Sequence, residues 1–225
     1  MALASAGVAL RGTGVGANMP YDAKKYGPDV ELNEPAFIHS SVQIYGKVRV
    51  GREASIWPNT VIRAENYEIV IGEMTNIQDL VMVHVGDRTG TYVGANCSIT
   101  HHVTIHGCRI GDNCLIGINA TLMDNSEIGD NCIVGAGAVL TAGTIIPDNS
   151  IIVGAPAKAI KTRNNYVANR WNAWLYQINA HAYREGNHRG WDGADFVRQA
   201  KDKMKELMAE FDALKKAGAA IAREE

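Results

Sequence analysis

Residues 110–134 of the chain read IGDNCLIGINATLMDNSEIGDNCIV, with an aliphatic residue at every sixth position. The same spacing extends outward in both directions, from Ile38 to Ile152, with three irregular intervals. Three such hexads form one coil of a parallel β-helix, which is an all-β solenoid. The repeat therefore predicts the fold, and it also predicts which distant residues stack on neighbouring coils.

Around this repeat the sequence divides into three regions. Residues 1–35 lack the hexads and contain turn signals, so we expect an irregular N-terminal segment. The β-helix is predicted over residues 36–156. Apolar residues spaced by three and four predict C-terminal α-helices within residues 157–225. We expect these helices either to cover the wall or the open end of the β-helix or to bind a partner helix.

The composition excludes two classes of partner. The chain has 225 residues and a formal net charge of -2, so no basic excess indicates binding to nucleic acid. Its apolar runs are far shorter than the roughly 20 residues of a membrane helix. The first 17 residues contain one arginine and no acidic residue. This stretch fits a remnant of a mitochondrial presequence, an amphipathic arm or simple disorder.

The cysteines follow the repeat and form no C-x-x-C pair. Cys97, Cys114 and Cys132 each lie four residues after a repeat aliphatic, at a small, inward-facing position of successive coils. We therefore predict that they pack in the interior as reduced thiols of an intracellular protein, without a disulfide framework.

Two histidines are neighbours when the repeat is used to count coils. With three hexads per coil, Ile62, Val83, Ile105 and Leu122 stack on one face, and the residues that follow them form a column: Arg63, His84, His106 and Met123. Adjacent strands lie about 4.8 Å apart. His84 and His106 therefore lie close enough to share one metal ion.

A third histidine lies on a different face. Counting two residues onward from Ile77 and Ile99 places Asp79 beside His101. His101 cannot readily reach the other two histidines within one chain, but it can across the interface of a trimer. The sequence therefore predicts a three-histidine metal site between subunits.

Three segments carry a close family resemblance over about residues 35–185. They are SIWPNTVIRAENYEIVIGEMTNIQDLVMVH at 55–84, ITHHVTIHGCRIGDNCLIGINATLMDNSEIG at 99–129 and IIVGAPAK at 151–158. Their TNIQD, HxxxxH and HGC-x-IGD elements together resemble the γ-class carbonic anhydrases. The resemblance implies a left-handed β-helix, a trimer and a metal ion at each subunit interface.

The resemblance also implies a role for each site residue. His84 and His106 would bind the metal from one chain, and His101 from its neighbour. Arg63 and Asp79 would pair at the interface, and Gln78 would hydrogen-bond the metal-bound hydroxide. That hydroxide would hydrate carbon dioxide to bicarbonate. Three imidazoles and a water suit a divalent ion, with zinc preferred and iron or cobalt as alternatives.

Several positions depart from the family pattern. Glu65 replaces the usual aspartate of Arg-Gly-Asp and brings a longer carboxylate to the interface. His102 follows the interface histidine as an additional ligand, a proton carrier or a solvent-facing side chain. In the loop after His84, Asp87 is the only acid. Trp174 occupies the region where relatives place Asn-Tyr, with Tyr176 two residues later. These accessory positions predict altered catalysis around an intact metal site.

Two further functions fit the same sequence. The chain could be a structural or assembly subunit, like the γ-carbonic-anhydrase-like subunits of mitochondrial respiratory complex I, with weak or no activity. It could also be an acyltransferase of the wider hexapeptide group. The trimer would contain this chain alone or closely related chains. The compartment would be the mitochondrial matrix or, alternatively, a bacterial cytoplasm.

Overall fold

The computed structural model describes residues 25–217. This part of the chain forms the predicted left-handed parallel β-helix, with about seven turns, followed by two α-helices. Residues 1–24 and 218–225 lie outside the described residues. The first of these stretches includes the 17 residues considered above as a presequence remnant, and most of the predicted N-terminal segment.

The β-helix has three faces, with strands numbered β1 to β19 in chain order. The first face contains β2 (Phe37–Ile38), β4 (Ser55–Ile56), β6 (Asn76–Ile77), β9 (Ser98–Ile99), β12 (Leu115–Ile116), β15 (Ile133–Val134), β18 (Ser150–Gly154) and β19 (Ala157–Thr162). The second contains β7 (Met82–His84), β10 (Thr104–His106), β13 (Thr121–Leu122) and β16 (Val139–Leu140). The third contains β1 (Val30–Leu32), β8 (Thr91–Val93), β11 (Arg109–Ile110), β14 (Glu127–Ile128) and β17 (Ile145–Ile146). Two longer strands, β3 (Gln43–Val50) and β5 (Val61–Ile71), pass from the second face to the third.

The hexad explains this geometry. Each repeat aliphatic points inward and is almost completely buried, so the stacked coils enclose one continuous apolar core. Asparagine recurs at the corners in the left-handed region, where its short polar side chain is tolerated. Asn113, Asn119, Asn125 and Asn131 have φ between 55° and 59°. The predicted inward positions of Cys97, Cys114 and Cys132 are confirmed, and Cys108 is buried and free as well.

The nine-residue interval from Ile62 to Ile71 forms a bulge rather than a separate loop. Gly46 of β3 pairs with Ala64, whereas Val48 pairs with Ile69. The intervening residues of β5 therefore protrude beside the second face, and Glu65 is among them. Gly46 makes this close approach possible, since a Cβ there would lie 1.5 Å from the Ala64 carbonyl oxygen, and its φ is +77°.

The two helices lie outside the first face. Helix α1 (Tyr166–Arg184) packs along the wall of the β-helix, where Asn169 Nδ2 donates to the carbonyl oxygens of Asn113 and Cys132. Helix α2 (Ala194–Lys216) packs on α1 through stacked rings of Phe196 with Trp174 and of Phe211 with Tyr166.

The region after Pro156 differs from the helical prediction over its first six residues. Strand β19 pairs antiparallel with β18 there, before α1 begins. The last coil otherwise leaves unpaired backbone groups at the edge of the sheet, and a returning strand satisfies them. Among residues 25–217, neither helix combines the length and apolar character needed to cross a membrane.

Candidate metal centre

The structure brings His84 and His106 together at the ends of β7 and β10. They pair in register, and His84 also pairs with Arg63 of β5. His84 Nδ1 lies 3.0 Å from His106 Nε2, and the ring centroids are 4.9 Å apart. Both side chains are partly exposed at the surface of the second face.

Carboxylates hold the outer nitrogens of both rings. His84 Nε2 lies 2.9 Å from Glu65 Oε2, and the other oxygen of Glu65 accepts a hydrogen bond from Arg63. His106 Nδ1 lies 2.6 Å from Asp124 Oδ1. Glu65 therefore contacts both His84 and Arg63 within one chain.

His101 lies at a corner of the β-helix, away from this pair. Its Nδ1 is 3.1 Å from Asp79 Oδ2, as the stacking of Ile77 and Ile99 predicts. Within residues 25–217 of a single chain, no group of three or more His, Cys, Asp or Glu side chains is placed to hold a metal ion. The three predicted ligands thus form two separate parts of one chain, a histidine pair and a single histidine, each with a carboxylate partner.

Gln78 lies beside Asp79 but is buried. Its Nε2 donates to Asn76 Oδ1 at 2.9 Å, and Asn76 Nδ2 donates to Ser98 Oγ at 3.0 Å. This chain of amides fixes the orientation of Gln78. Sequence reasoning did not single out Asn76, although it lies two residues before Gln78 on the same strand face.

Tyr176, rather than Trp174, is the aromatic residue of α1 on which the charge of Asp79 at the corner acts. Burial, together with the charge of Asp79, raises the pKa of Tyr176 to about 12. Its ring contacts Trp57 edge-on, with centroids 5.6 Å apart. Trp174 instead packs against Trp171 and Phe196 between the two helices.

Comparison with known proteins places this geometry in a family. Residues 107–142 match the family model described as bacterial transferase hexapeptide (six repeats). The chain is 41% identical over 175 residues to Gamma carbonic anhydrase 3, mitochondrial, of Arabidopsis thaliana, covering 74% of this chain and 68% of that one. The chain belongs to the γ-carbonic-anhydrase-like family of hexapeptide-repeat proteins.

Other relatives of this γ-carbonic-anhydrase-like chain match shorter regions or share its fold. It is 47% identical over 79 residues to the "Probable carbonic anhydrase" of Methanocaldococcus jannaschii, which covers 35% of this chain and 50% of that protein. The chain thus spans about half the length of that relative. A solved hexapeptide transferase family protein from Anaplasma phagocytophilum aligns with a TM-score of 0.62 and 30% identity, over 70% of this chain and 92% of that one.

The histidine pair of this γ-carbonic-anhydrase-like protein fits a divalent metal ion. Nitrogen ligands lie about 2.0–2.1 Å from zinc, so two ring nitrogens 3.0 Å apart are within reach of one ion. Metal-binding histidines usually donate their other ring N–H to a carboxylate, and Glu65 and Asp124 stand in that position.

The remaining predicted accessory residues lie at the surface. His102 occupies a corner with φ +60° and is exposed, and its backbone N–H donates to the Asp79 carbonyl oxygen. Asp87 is exposed in the loop after His84.

Asp124 was not predicted from the sequence, although the register of the repeat contained a signal for it. It lies one position beyond the column of His84 and His106, opposite Gly107 in the shortened repeat interval from Ile105 to Ile110.

Proposed function

We propose that this protein catalyses the reversible hydration of carbon dioxide to bicarbonate, as a carbonic anhydrase with a divalent metal ion at each interface of a trimer. The observation that carries the proposal is the His84–His106 pair, with His101 and its carboxylate on another face. The names of the Arabidopsis and Methanocaldococcus relatives support this chemistry. His84, His106 and the neighbour's copy of His101 would hold the metal, with zinc preferred over iron or cobalt.

The ion would supply the nucleophile, because three neutral imidazoles leave its positive charge intact. That charge would lower the pKa of bound water towards about 7. The residues of the chain orient the reactants. Gln78 carries a neutral amide that is fixed by Asn76, so it can orient the attacking water without adding charge. Glu65 and Asp124 hold the ligand rings in place, and Arg63 holds Glu65.

The trimer is supported by two columns of side chains that match in order. Along the second face, Arg63, His84, His106 and Met123 follow one another on successive coils. Along the corner, the order is Asp79, His101 and Ile118. When the histidine pair of one chain meets His101 of the neighbouring chain, Arg63 faces Asp79 of that neighbour. At the other end Met123, which is 36% exposed, faces Ile118, which is 46% exposed.

Hydration by metal-loaded, anaerobically purified protein tests the proposal. We expect stopped-flow hydration that falls to the background rate in His106→Ala, because the variant loses a metal ligand. His188→Ala is a matched control, since His188 is an exposed histidine beside Tyr183 in the segment between α1 and α2. Hydration that persists after complete removal of metal would contradict the proposed mechanism.

A structural role in a larger assembly is the second candidate. Exposed apolar residues of α2 favour it, because Val197, Met208 and Leu214 are 50%, 56% and 37% exposed. The resemblance found in the sequence names respiratory complex I as one such assembly, and the Arabidopsis relative is named as mitochondrial. Stoichiometric metal without hydration would favour this role. Specific binding of acetyl-CoA would instead favour an acyltransferase.

A further inference from the structure

We propose that Asp124 is a positioning residue for the metal centre, which orients His106 so that Nε2 is the nitrogen presented to the metal. This inference rests on the proposed function. Asp124 Oδ1 lies 2.6 Å from His106 Nδ1. This contact is shorter than those of His84 with Glu65 and of His101 with Asp79, which are 2.9 Å and 3.1 Å. A carboxylate at that atom favours the tautomer with the proton on Nδ1 and leaves a lone pair on Nε2.

The space around this carboxylate is built from two glycines. A Cβ at Gly86 would lie 2.4 Å from Asp124 Oδ1, and a Cβ at Gly107 would lie 2.5 Å from the same oxygen. Any side chain at either position would push the carboxylate away from His106. The backbone is fixed as well, since the Gly107 N–H donates to the His84 carbonyl oxygen and to Thr91 Oγ1.

The shortened repeat interval gives this arrangement its geometry. Ile110 follows Ile105 at the fifth position, where the sixth is usual, and Gly107 adopts a φ of +59° in that interval. The turn therefore leaves a notch directly after His106, and Asp124 of the next coil fills it. In this way two glycines and one carboxylate orient a ring on which the proposed metal site depends.

The test compares metal affinity in full-length variants, measured by competition between the protein and a chromogenic chelator for Co²⁺. We expect Asp124→Ala to weaken binding about 10–100-fold, the usual effect of losing such a partner. Asp124→Asn should be intermediate, because its amide oxygen still accepts a hydrogen bond from Nδ1. Asp112→Ala is the control, since Asp112 accepts a backbone hydrogen bond from Ala95 in a different column of residues.

Gly86→Ala provides a test that keeps the carboxylate. Gly86 does not have a positive φ, so the main effect of Gly86→Ala is the contact of the new Cβ with Asp124 Oδ1 at 2.4 Å, with Thr89 Cγ2 next at 3.0 Å. We expect it to weaken Co²⁺ binding in the wild-type background and to have little further effect in Asp124→Ala. Additive losses would contradict a shared cause.

A second readout does not depend on metal. Nitrogen chemical shifts of the His106 ring should report the Nδ1–H tautomer in the metal-free protein and a mixture of tautomers in Asp124→Ala. Unchanged tautomer and unchanged Co²⁺ affinity in Asp124→Ala, with affinity lost in His106→Ala, would overturn the positioning role and leave the proposed function standing. Wild-type protein that binds no Co²⁺ would overturn the proposed function, and the tautomer alone would then decide whether Asp124 orients His106.

Discussion

At the scale of single residues, the interior of the β-helix protects its thiols. Cys97, Cys108, Cys114 and Cys132 are at most 1% exposed. Burial raises the pKa of Cys108 to about 12, although a hydrogen bond with Ser126 opposes the shift. The thiolate is the reactive form, so burial restricts access to all four thiols, and the raised pKa also restricts ionisation at Cys108.

We therefore predict that the native protein does not react with Ellman's reagent at pH 8 within minutes. All four thiols should react after unfolding in guanidinium chloride, which is the control for their reduced state. Fast reaction of one thiol in the native protein would show that a coil opens locally. It would contradict a uniformly closed core.

Residue positions were predictable wherever the repeat fixes them. Inward and outward positions alternate in a fixed register, so the stacking of His84 on His106 and of Asp79 on His101 follows from counting. The contact of Asp124 with His106 depends instead on the space left by two glycines and on a side-chain rotamer. Periodicity contains no information about either of these.

At the scale of elements, one acidic residue ties α1 to the β-helix. Glu53 Oε2 accepts a hydrogen bond from Gln177 Nε2 at 3.0 Å and lies 2.7 Å from His181 Nε2. Burial alone would raise the pKa of the Glu53 carboxyl. The hydrogen bonds from Gln177 and His181, together with the charges of His181 and Arg184, outweigh burial, so the pKa of Glu53 lies below its usual value.

A depressed pKa makes this contact dependent on pH. The stabilisation is complete above the unfolded-state pKa of glutamate, about 4.3. It is lost as the pH falls through the lower folded-state pKa. We predict that Glu53→Gln lowers the free energy of unfolding by about 0.5–1 kcal/mol at pH 7, since the group is partly exposed. The difference from wild type should shrink below about pH 4.

Urea unfolding at pH 7 and pH 3 measures this difference. Glu73→Gln is the matched control, because Glu73 makes an exposed ion pair with Arg52 and should change stability little at either pH. An equal effect of Glu53→Gln at both pH values would show that shape, rather than charge, holds α1 in place.

Helix packing of this kind could be predicted only as one alternative, because helical periodicity gives an apolar face and not the surface that the face covers.

At the scale of the whole molecule, the sequence predicts a metal site that a single chain does not complete. The repeat predicts the solenoid, and the separation of His101 from His84 and His106 predicts a site shared between subunits. The described residues keep that separation and give both parts their carboxylates. What periodicity could not predict is the strand β19 and the bulge that carries Glu65, since both arise where the hexads end or are interrupted.

Subunit complementation tests the shared site directly. His101→Ala and His106→Ala chains should each form trimers without complete sites. Co-expression in equal amounts makes three quarters of the trimers mixed, and each mixed trimer regains one complete interface of its three. We therefore predict about a quarter of the wild-type metal content and hydration rate in the mixture, and almost none in either variant alone. Co-expressed wild-type and His106→Ala chains are the control for assembly. A mixture as inactive as the separate variants would show that the three histidines do not meet across an interface.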